Sequence, residues 1–196
     1  MSKAKSVEGF VAKKISALTS SRPGLESKQR AALAKLRRGV GKEIGGVPES
    51  WEVTLVDMPE ELIGKKDAIS WAEQAIYTSL TLFALHQQGR IECVSRKNIS
   101  FGKMARWIVN PEKSNEQTVK RRFDAVLTSK DFVEFSRHAR SLIQIAKANE
   151  VYLDYPRFAK DLFLYQNPEL RTKVMLAWGK DFWVSTKNNE DQSEGE

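Results

Sequence analysis

Apolar residues recur every three or four positions along almost the whole chain of 196 residues, and this spacing is what most restricts the fold. Residues spaced in this way lie on one face of an α-helix. The segment 67–88 shows the pattern most clearly, with apolar residues at Ile69, Ala72, Ile76, Leu80 and Phe83. We therefore expect a long core helix there.

The same pattern predicts helices over most of the remaining sequence. Ser129 is expected to cap a second long helix, Ser114 and Gln117 to form a capping box for a third, and Asp154 to cap a fourth. Further helices are predicted over 7–18, 27–38, 100–108 and from Pro168 to about Thr186. Only 51–56 and 90–95 alternate as strands do, and we interpret them as a short helix and a loop. The sequence thus predicts an all-α, two-lobed bundle of about eight helices.

Glycines and charge suggest how the chain is divided. The segment GVGKEIGG at 39–46 lacks the G-x-x-x-x-G-K-[ST] pattern of a phosphate-binding loop and follows a predicted helix, so we interpret it as a flexible linker. Residues 1–46 would form an N-terminal helical hairpin with this linker, and residues 47–186 the main helical bundle. The polar residues 187–196 are expected to be a disordered acidic tail.

The charge distribution favours a polyanionic partner. The chain has 32 Lys and Arg against 25 Asp and Glu, and four of those acids lie in the last seven residues. The remainder therefore carries 32 bases against 21 acids, a net charge of +11. A basic body of this kind is typical of proteins that bind nucleic acid, although a basic surface can also serve solubility or acidic protein partners.

Catalysis and metal binding have little support in the sequence. Cys93 is the single cysteine, and His86 and His138 are the two histidines, so neither a disulfide nor a Cys/His zinc cluster is expected. We interpret His86 as a packed or capping histidine and His138 as a solvated or phosphate-contacting one. The sequence predicts no enzyme activity, metal or cofactor. No apolar run reaches the length of a membrane span and no secretory signal is evident, so we expect a cytoplasmic protein without a membrane partner.

Basic residues cluster at positions that could line one face of the bundle. Helical spacing places Lys103 with Arg106, and Arg137 with Arg140, on shared faces, because each pair is three residues apart. Two doublets, Arg37 with Arg38 and Arg121 with Arg122, complete the set. Guanidinium and ammonium groups arranged in this way contact phosphates without reading bases. The alternative is a solvated face whose arginine stems cover apolar neighbours. We expect four tryptophans to pack in the core: Trp71, Trp107, Trp178 and Trp183.

The order of these segments resembles the CasB family, the small subunit of the type I-E CRISPR Cascade surveillance complex. The resemblance covers about residues 10–183 and depends on the order and spacing of its motifs. The matching pieces are ALAKLRRG (32–39), YTSLTLFALHQQG (77–89), SFGKMARWI (100–108), VKRRFDAVL (119–127), FSRHARSLIQIA (135–146), LDYPRFAKDLFLYQ (153–166) and AWGKDFW (177–183).

This resemblance implies a non-enzymatic, all-helical subunit that forms a head-to-tail homodimer in the complex. Its expected partners are guide RNA, the target and displaced non-target DNA strands, and other Cascade subunits, including the backbone and large subunits. Contacts to strand backbones would stabilise the R-loop. The family pattern carries over to six residues by position: Arg37, Arg38, Lys103, Arg121, Arg122 and Arg140.

Helical facing alone adds Arg106 and Arg137 to this set, and Arg96 and Lys97 could extend it. The sequence departs from the family in having SRHARS at 136–141 where an adjacent arginine pair is common, and in a longer stretch at 91–98. Two other functions stay open at this point: a helical adaptor whose basic faces bind acidic proteins, and an enzyme that uses His86 or His138.

Overall fold

The computed structural model describes residues 2–20, 26–66, 68–110 and 115–184, and these ranges contain nine α-helices and no β-strand. The all-α prediction is confirmed. In chain order the helices are α1 (Lys3–Thr19), α2 (Glu26–Arg38), α3 (Trp51–Thr54), α4 (Trp71–Gln87), α5 (Phe101–Trp107), α6 (Glu116–Leu127), α7 (Phe132–Ala148), α8 (Tyr155–Tyr165) and α9 (Pro168–Val184).

Helix α4 forms the centre of the fold, with α1, α2, α7 and α8 packed against it. Its first turn is fixed by a capping box, in which the Ser70 hydroxyl accepts from the amide of Glu73 at 3.0 Å and the Glu73 carboxylate accepts from the amide of Ser70 at 2.6 Å. The helix therefore begins at Trp71, later than the predicted segment. Ile69 precedes the cap and is 53% exposed, so its expected place in the core is wrong.

A cluster of aromatic rings joins the second half of the chain. Phe101 of α5 stacks on Phe158 of α8 with centroids 5.1 Å apart, and its ring also lies 5.1 Å from that of Trp178 in α9. Phe123 of α6 stacks on Phe182 at 4.6 Å. These side chains are almost completely buried, which makes them large contributors to the apolar area that folding removes from water. The cluster holds α5, α6, α8 and α9 in fixed positions.

Two predicted caps differ from those in the structure. Asp131, and not Ser129, caps α7: its carboxylate accepts from the amide of Glu134 at 2.8 Å. The Ser129 hydroxyl instead donates to the carbonyl oxygen of Ala125 at 2.8 Å, in the last turn of α6. Helix α6 follows Asn115 without a side-chain cap, and Ser114 of the expected capping box lies outside the described residues. Asp154 caps α8 as predicted, accepting from the amide of Arg157 at 3.0 Å.

The tryptophans divide into buried and exposed members. Trp178 is fully buried and donates its indole N–H to Asp161 at 2.9 Å, and Trp107 is half-buried. Trp71 and Trp183 are 46% and 58% exposed, so the expectation that both pack in the core is wrong. Helical spacing to core residues could not reveal this, because each lies at the end of a helix where few neighbours remain to cover the ring.

The glycine-containing segment 39–46 packs against α4. The Tyr77 hydroxyl donates to the carbonyl oxygen of Gly39 at 3.1 Å, and the side chains of Val40 and Ile44 are buried. A β-carbon at position 39 would lie 2.5 Å from that hydroxyl oxygen, so this close approach requires glycine. The division into units at 1–46 and 47–186 stays a prediction, and the expected acidic tail at 187–196 lies outside the described residues.

Candidate nucleic-acid interface

Helix α7 carries the first pair of predicted arginines. Its buried residues include Phe135, Ala139 and Leu142, which face the core, whereas Arg137 and Arg140 are exposed and lie one turn apart. Neither arginine forms an ion pair with a carboxylate within the described part of the chain. Both guanidinium groups are therefore available to an external anion.

Helix α6 packs against α7 and carries the second pair. Val119, Phe123 and Val126 are buried, while Arg121 and Arg122 are exposed and have no carboxylate partner among the residues that the structure describes. The packing thus brings the predicted arginines of α6 and α7 onto two neighbouring helices. Beside them, the Lys120 ammonium lies 5.4 Å from the centroid of the exposed Trp183 ring, close enough for a cation–π contact.

The pair on α5 lies on a helix that packs mainly against α9. Ser100 caps α5 by accepting from the amide of Lys103 at 3.1 Å, and the Lys103 side chain is partly buried. Arg106 forms an ion pair with Glu116 at the start of α6, with 3.3 Å between Nη1 and Oε1. Arg106 is therefore engaged within the protein. A phosphate that binds this arginine would compete with Glu116.

The two arginines at the end of α2 differ in their surroundings. Arg38 is exposed and pairs with Glu49 at 3.2 Å. Arg37 is partly buried, and no described carboxylate forms an ion pair with it. Its charge instead acts on Lys147 near the end of α7. The doublet in the sequence therefore has two environments in the structure, because Arg38 pairs with the segment before α3 and Arg37 lines a recess together with Arg90.

The suggested extension at Arg96 is occupied by internal contacts. The Arg96 guanidinium lies 3.9 Å from the centroid of the Tyr152 ring and 3.3 Å from a carboxylate oxygen of Glu92. Lys97 is exposed. Arg96 therefore already has partners within the protein, which a phosphate would have to displace.

Two basic residues near this surface were missed by the sequence analysis. Lys147 continues the spacing of Arg137 and Arg140 along α7, so its helical register could have identified it. Arg90 gave no such signal because it follows Gly89 in a turn. It reaches α7 only because the end of α4 packs there, and its Nη2 donates to the carbonyl oxygen of Lys147 at 2.6 Å.

The histidines occupy the environments that the sequence predicted. His86 is buried, its Nδ1 lies 3.1 Å from the hydroxyl oxygen of Tyr155, and burial lowers the pKa of His86 to about 4. His138 lies at the surface, 3.7 Å from a carboxylate oxygen of Glu134. In the described ranges no three His, Cys, Asp or Glu side chains group together as metal ligands would. None of the helices there combines the length and apolarity that a membrane span requires.

Comparisons with known proteins agree with this architecture. The crystal structure of CasB from Thermobifida fusca is similar with a TM-score of 0.75 and 23% identity, over 90% of this chain and 97% of that one. CasB from M. ruber is similar with a TM-score of 0.62 and 18% identity, over 95% and 98% of the two chains. At these identities the likeness shows the fold. No curated protein sequence matches the chain.

The sequence itself matches a family model over residues 32–183, which includes all eight predicted basic positions. That model describes the CRISPR-associated protein Cse2. The match spans most of the chain and contains α3 to α9 with most of α2. The protein therefore belongs to the CRISPR-associated Cse2 family, the CasB family of the type I-E Cascade.

Proposed function

We propose that this chain is a non-catalytic subunit of the type I-E Cascade that binds nucleic-acid strands through their phosphates. It contacts guide RNA, target DNA and the displaced non-target strand in the R-loop, and it assembles with the backbone and large subunits as a homodimer. Base pairing between guide and target supplies the sequence specificity, so the subunit itself needs no base contacts.

One observation carries the proposal: four exposed arginines on the neighbouring helices α6 and α7 have no carboxylate partner within the described part of the chain. They are Arg121, Arg122, Arg137 and Arg140. Other arginines of the protein do pair with acids, as Arg38 does with Glu49 and Arg106 with Glu116. An unpaired group of fixed guanidinium charges attracts phosphates strongly at low salt.

The histidines support a non-catalytic function. A general base must accept a proton near neutral pH, but the pKa of His86 is about 4 and the residue is buried against Tyr155. His138 lies beside Glu134 at the surface of α7. His86 therefore does not suit general-base catalysis near neutral pH.

Binding of the full chain to unrelated single-stranded oligonucleotides tests the proposal. A variant in which Arg121, Arg122, Arg137 and Arg140 are replaced by Glu should lose binding to every sequence alike. The matched control replaces four exposed lysines with Glu: Lys5, Lys13, Lys65 and Lys66. It should retain most of the affinity.

Equal loss in the two variants would show that overall charge, and not the surface of α6 and α7, determines binding. Strong preference of the wild type for one base sequence would contradict a phosphate-directed function. Co-purification of acidic proteins without RNA, combined with no binding of oligonucleotides, would instead favour a helical adaptor.

A further inference from the structure

The basic surface of α7 extends beyond the two arginines that the sequence identified. Positions 137, 140, 144 and 147 recur at intervals of three and four, which places them within a sector of about 80° on the helix. Arg137, Arg140 and Gln144 are exposed, and Lys147 is partly exposed. We call these four residues the α7 stripe. It runs over eleven residues, from 137 to 147, or about 15 Å of helix.

Two arginines from other elements meet the stripe at its Lys147 end. Arg90, in the turn after α4, donates through Nη2 to the carbonyl oxygen of Lys147 at 2.6 Å and pairs through Nη1 with Glu150 at 2.5 Å. The Lys147 ammonium donates to Oε1 of Gln88 at 3.3 Å. Arg37, at the end of α2, lines the same recess as Gln88 and Arg90, and its charge acts on Lys147. We call Arg37, Arg90 and Lys147 the terminal cluster.

The terminal cluster holds more positive than negative charge. Glu150 pairs with Arg90, but Arg37 and Lys147 have no ion-pair partner among the residues that the structure describes. Burial lowers the pKa of Lys147, and the repulsion of the Arg37 and Arg90 charges lowers it further. An anion bound between these cations would offset this repulsion.

A recess beside the cluster provides room for such an anion. Its volume is about 490 Å³, and it lies between α2 and the turn that follows α4. Its lining includes Arg30, Arg37, Gln88 and Arg90 together with one acid, Glu26, and Lys147 lies beside it through its hydrogen bond to Gln88. The side chain of Ile91, at the rim, is completely exposed. The lining thus offers several donors to phosphate oxygens in a space large enough for part of a flexible strand.

We propose that the terminal cluster binds a phosphodiester group, so that a single-stranded nucleic acid lies along the α7 stripe from Arg137 to Lys147. The inference rests on the function proposed above and names the course of the strand. At about 3.4 Å per nucleotide, the length of the stripe corresponds to roughly four nucleotides of stacked strand. A single strand can bend into the recess, whereas the stiff backbone of a duplex cannot.

Fluorescence anisotropy with labelled dT20, rU20 and a 20-base-pair duplex tests this course. The R37Q/K147Q variant removes two cluster charges without breaking a described ion pair, and K5Q/K13Q removes two exposed charges from α1 as the control. The cluster variant should bind single strands about tenfold more weakly, since charged hydrogen bonds are lost. The control should change by less than about twofold. Both variants should keep the helical circular dichroism of the wild type.

The outcomes separate this inference from the proposed function. Wild-type binding that R37Q/K147Q leaves unchanged would overturn the inference alone. Absence of single-strand binding by the wild type would overturn both. An equal loss of duplex affinity in the cluster variant would overturn the assignment to a single strand. Retained binding of dT20 with a loss for rU20, or the reverse, would support the cluster and identify the sugar of the strand.

Discussion

The backbone of Gly102 in α5 meets the carbonyl oxygen of Trp178 in α9 so closely that a β-carbon at position 102 would overlap that oxygen. Gly102 is buried, and α5 is held there by the Ser100 cap and by the stacking of Phe101. The approach of the two helices therefore depends on a glycine at this position, and Lys103 is placed by the same contact.

Replacing Gly102 with Ala should destabilise the protein by about 3 kcal/mol or more, because backbone atoms of α9 cannot move aside as a flexible side chain can. Urea denaturation measures this change. Gly179 in α9 is the matched control, since a β-carbon there meets no atom. G179A should stabilise the protein by about 1 kcal/mol through helix propensity. A G102A variant as stable as the wild type would contradict the described packing of α5 on α9.

The buried His86 predicts a loss of stability in mild acid. Its pKa is about 4 in the folded protein and near 6.5 in the unfolded chain, so the unfolded chain binds more protons between these values. Its contribution to stability is complete above about pH 6.5 and is lost as the pH falls toward 4, by up to about 3 kcal/mol. Urea denaturation at several pH values between 4.5 and 7 measures the slope.

The H86Q variant is the control for this pH dependence, because glutamine can contact the Tyr155 hydroxyl but does not titrate. Its free energy of unfolding should change less with pH than that of the wild type over this window. The other ionisable groups are the same in both proteins, so the difference between the two profiles reports on His86. If the free energy of unfolding changed with pH equally in the wild type and in H86Q, the lowered pKa of His86 would be contradicted.

The hydrogen bond from the Tyr77 hydroxyl to the Gly39 carbonyl is expected to stabilise the segment 39–46 against α4. The Y77F variant removes this buried hydroxyl, so the Gly39 carbonyl loses a hydrogen bond. The free energy of unfolding should fall by about 1 kcal/mol. Hydrogen exchange should become faster at the amides of residues 39–46. Unchanged exchange there would indicate that Val40 and Ile44 suffice to hold the segment.

The periodic spacing of apolar residues predicted the helices well, because buried faces determine where helices form. It located α4, α5, α7, α8 and α9 and the buried residues Ala72, Ile76, Leu80 and Phe83. It failed at helix ends. Asp131 and Ser129 are both good capping residues, and only the path of the backbone decides that Asp131 caps α7. Exposure of Trp71 and Trp183 likewise depends on what packs beside each helix end.

The candidate interface was predictable where it follows the register of a helix. Arg137 and Arg140 are exposed on one face of α7, as their spacing required. Ion pairing was not predictable, because Glu49 and Glu116 reach Arg38 and Arg106 through the folded arrangement of separate elements. Arg90 meets Lys147 for the same reason, since residues 57 positions apart are joined by helix packing.

The salt dependence of single-strand binding tests the central claim most directly. For single strands, the logarithm of the binding constant falls with the logarithm of salt concentration by about 0.7 for each phosphate contacted. If Arg137 and Arg140 each contact a phosphate, the R137A/R140A variant should show a slope shallower by about 1.4 than the wild type. A slope equal to that of the wild type, in a variant with normal helical content, would contradict the phosphate-binding function of α7.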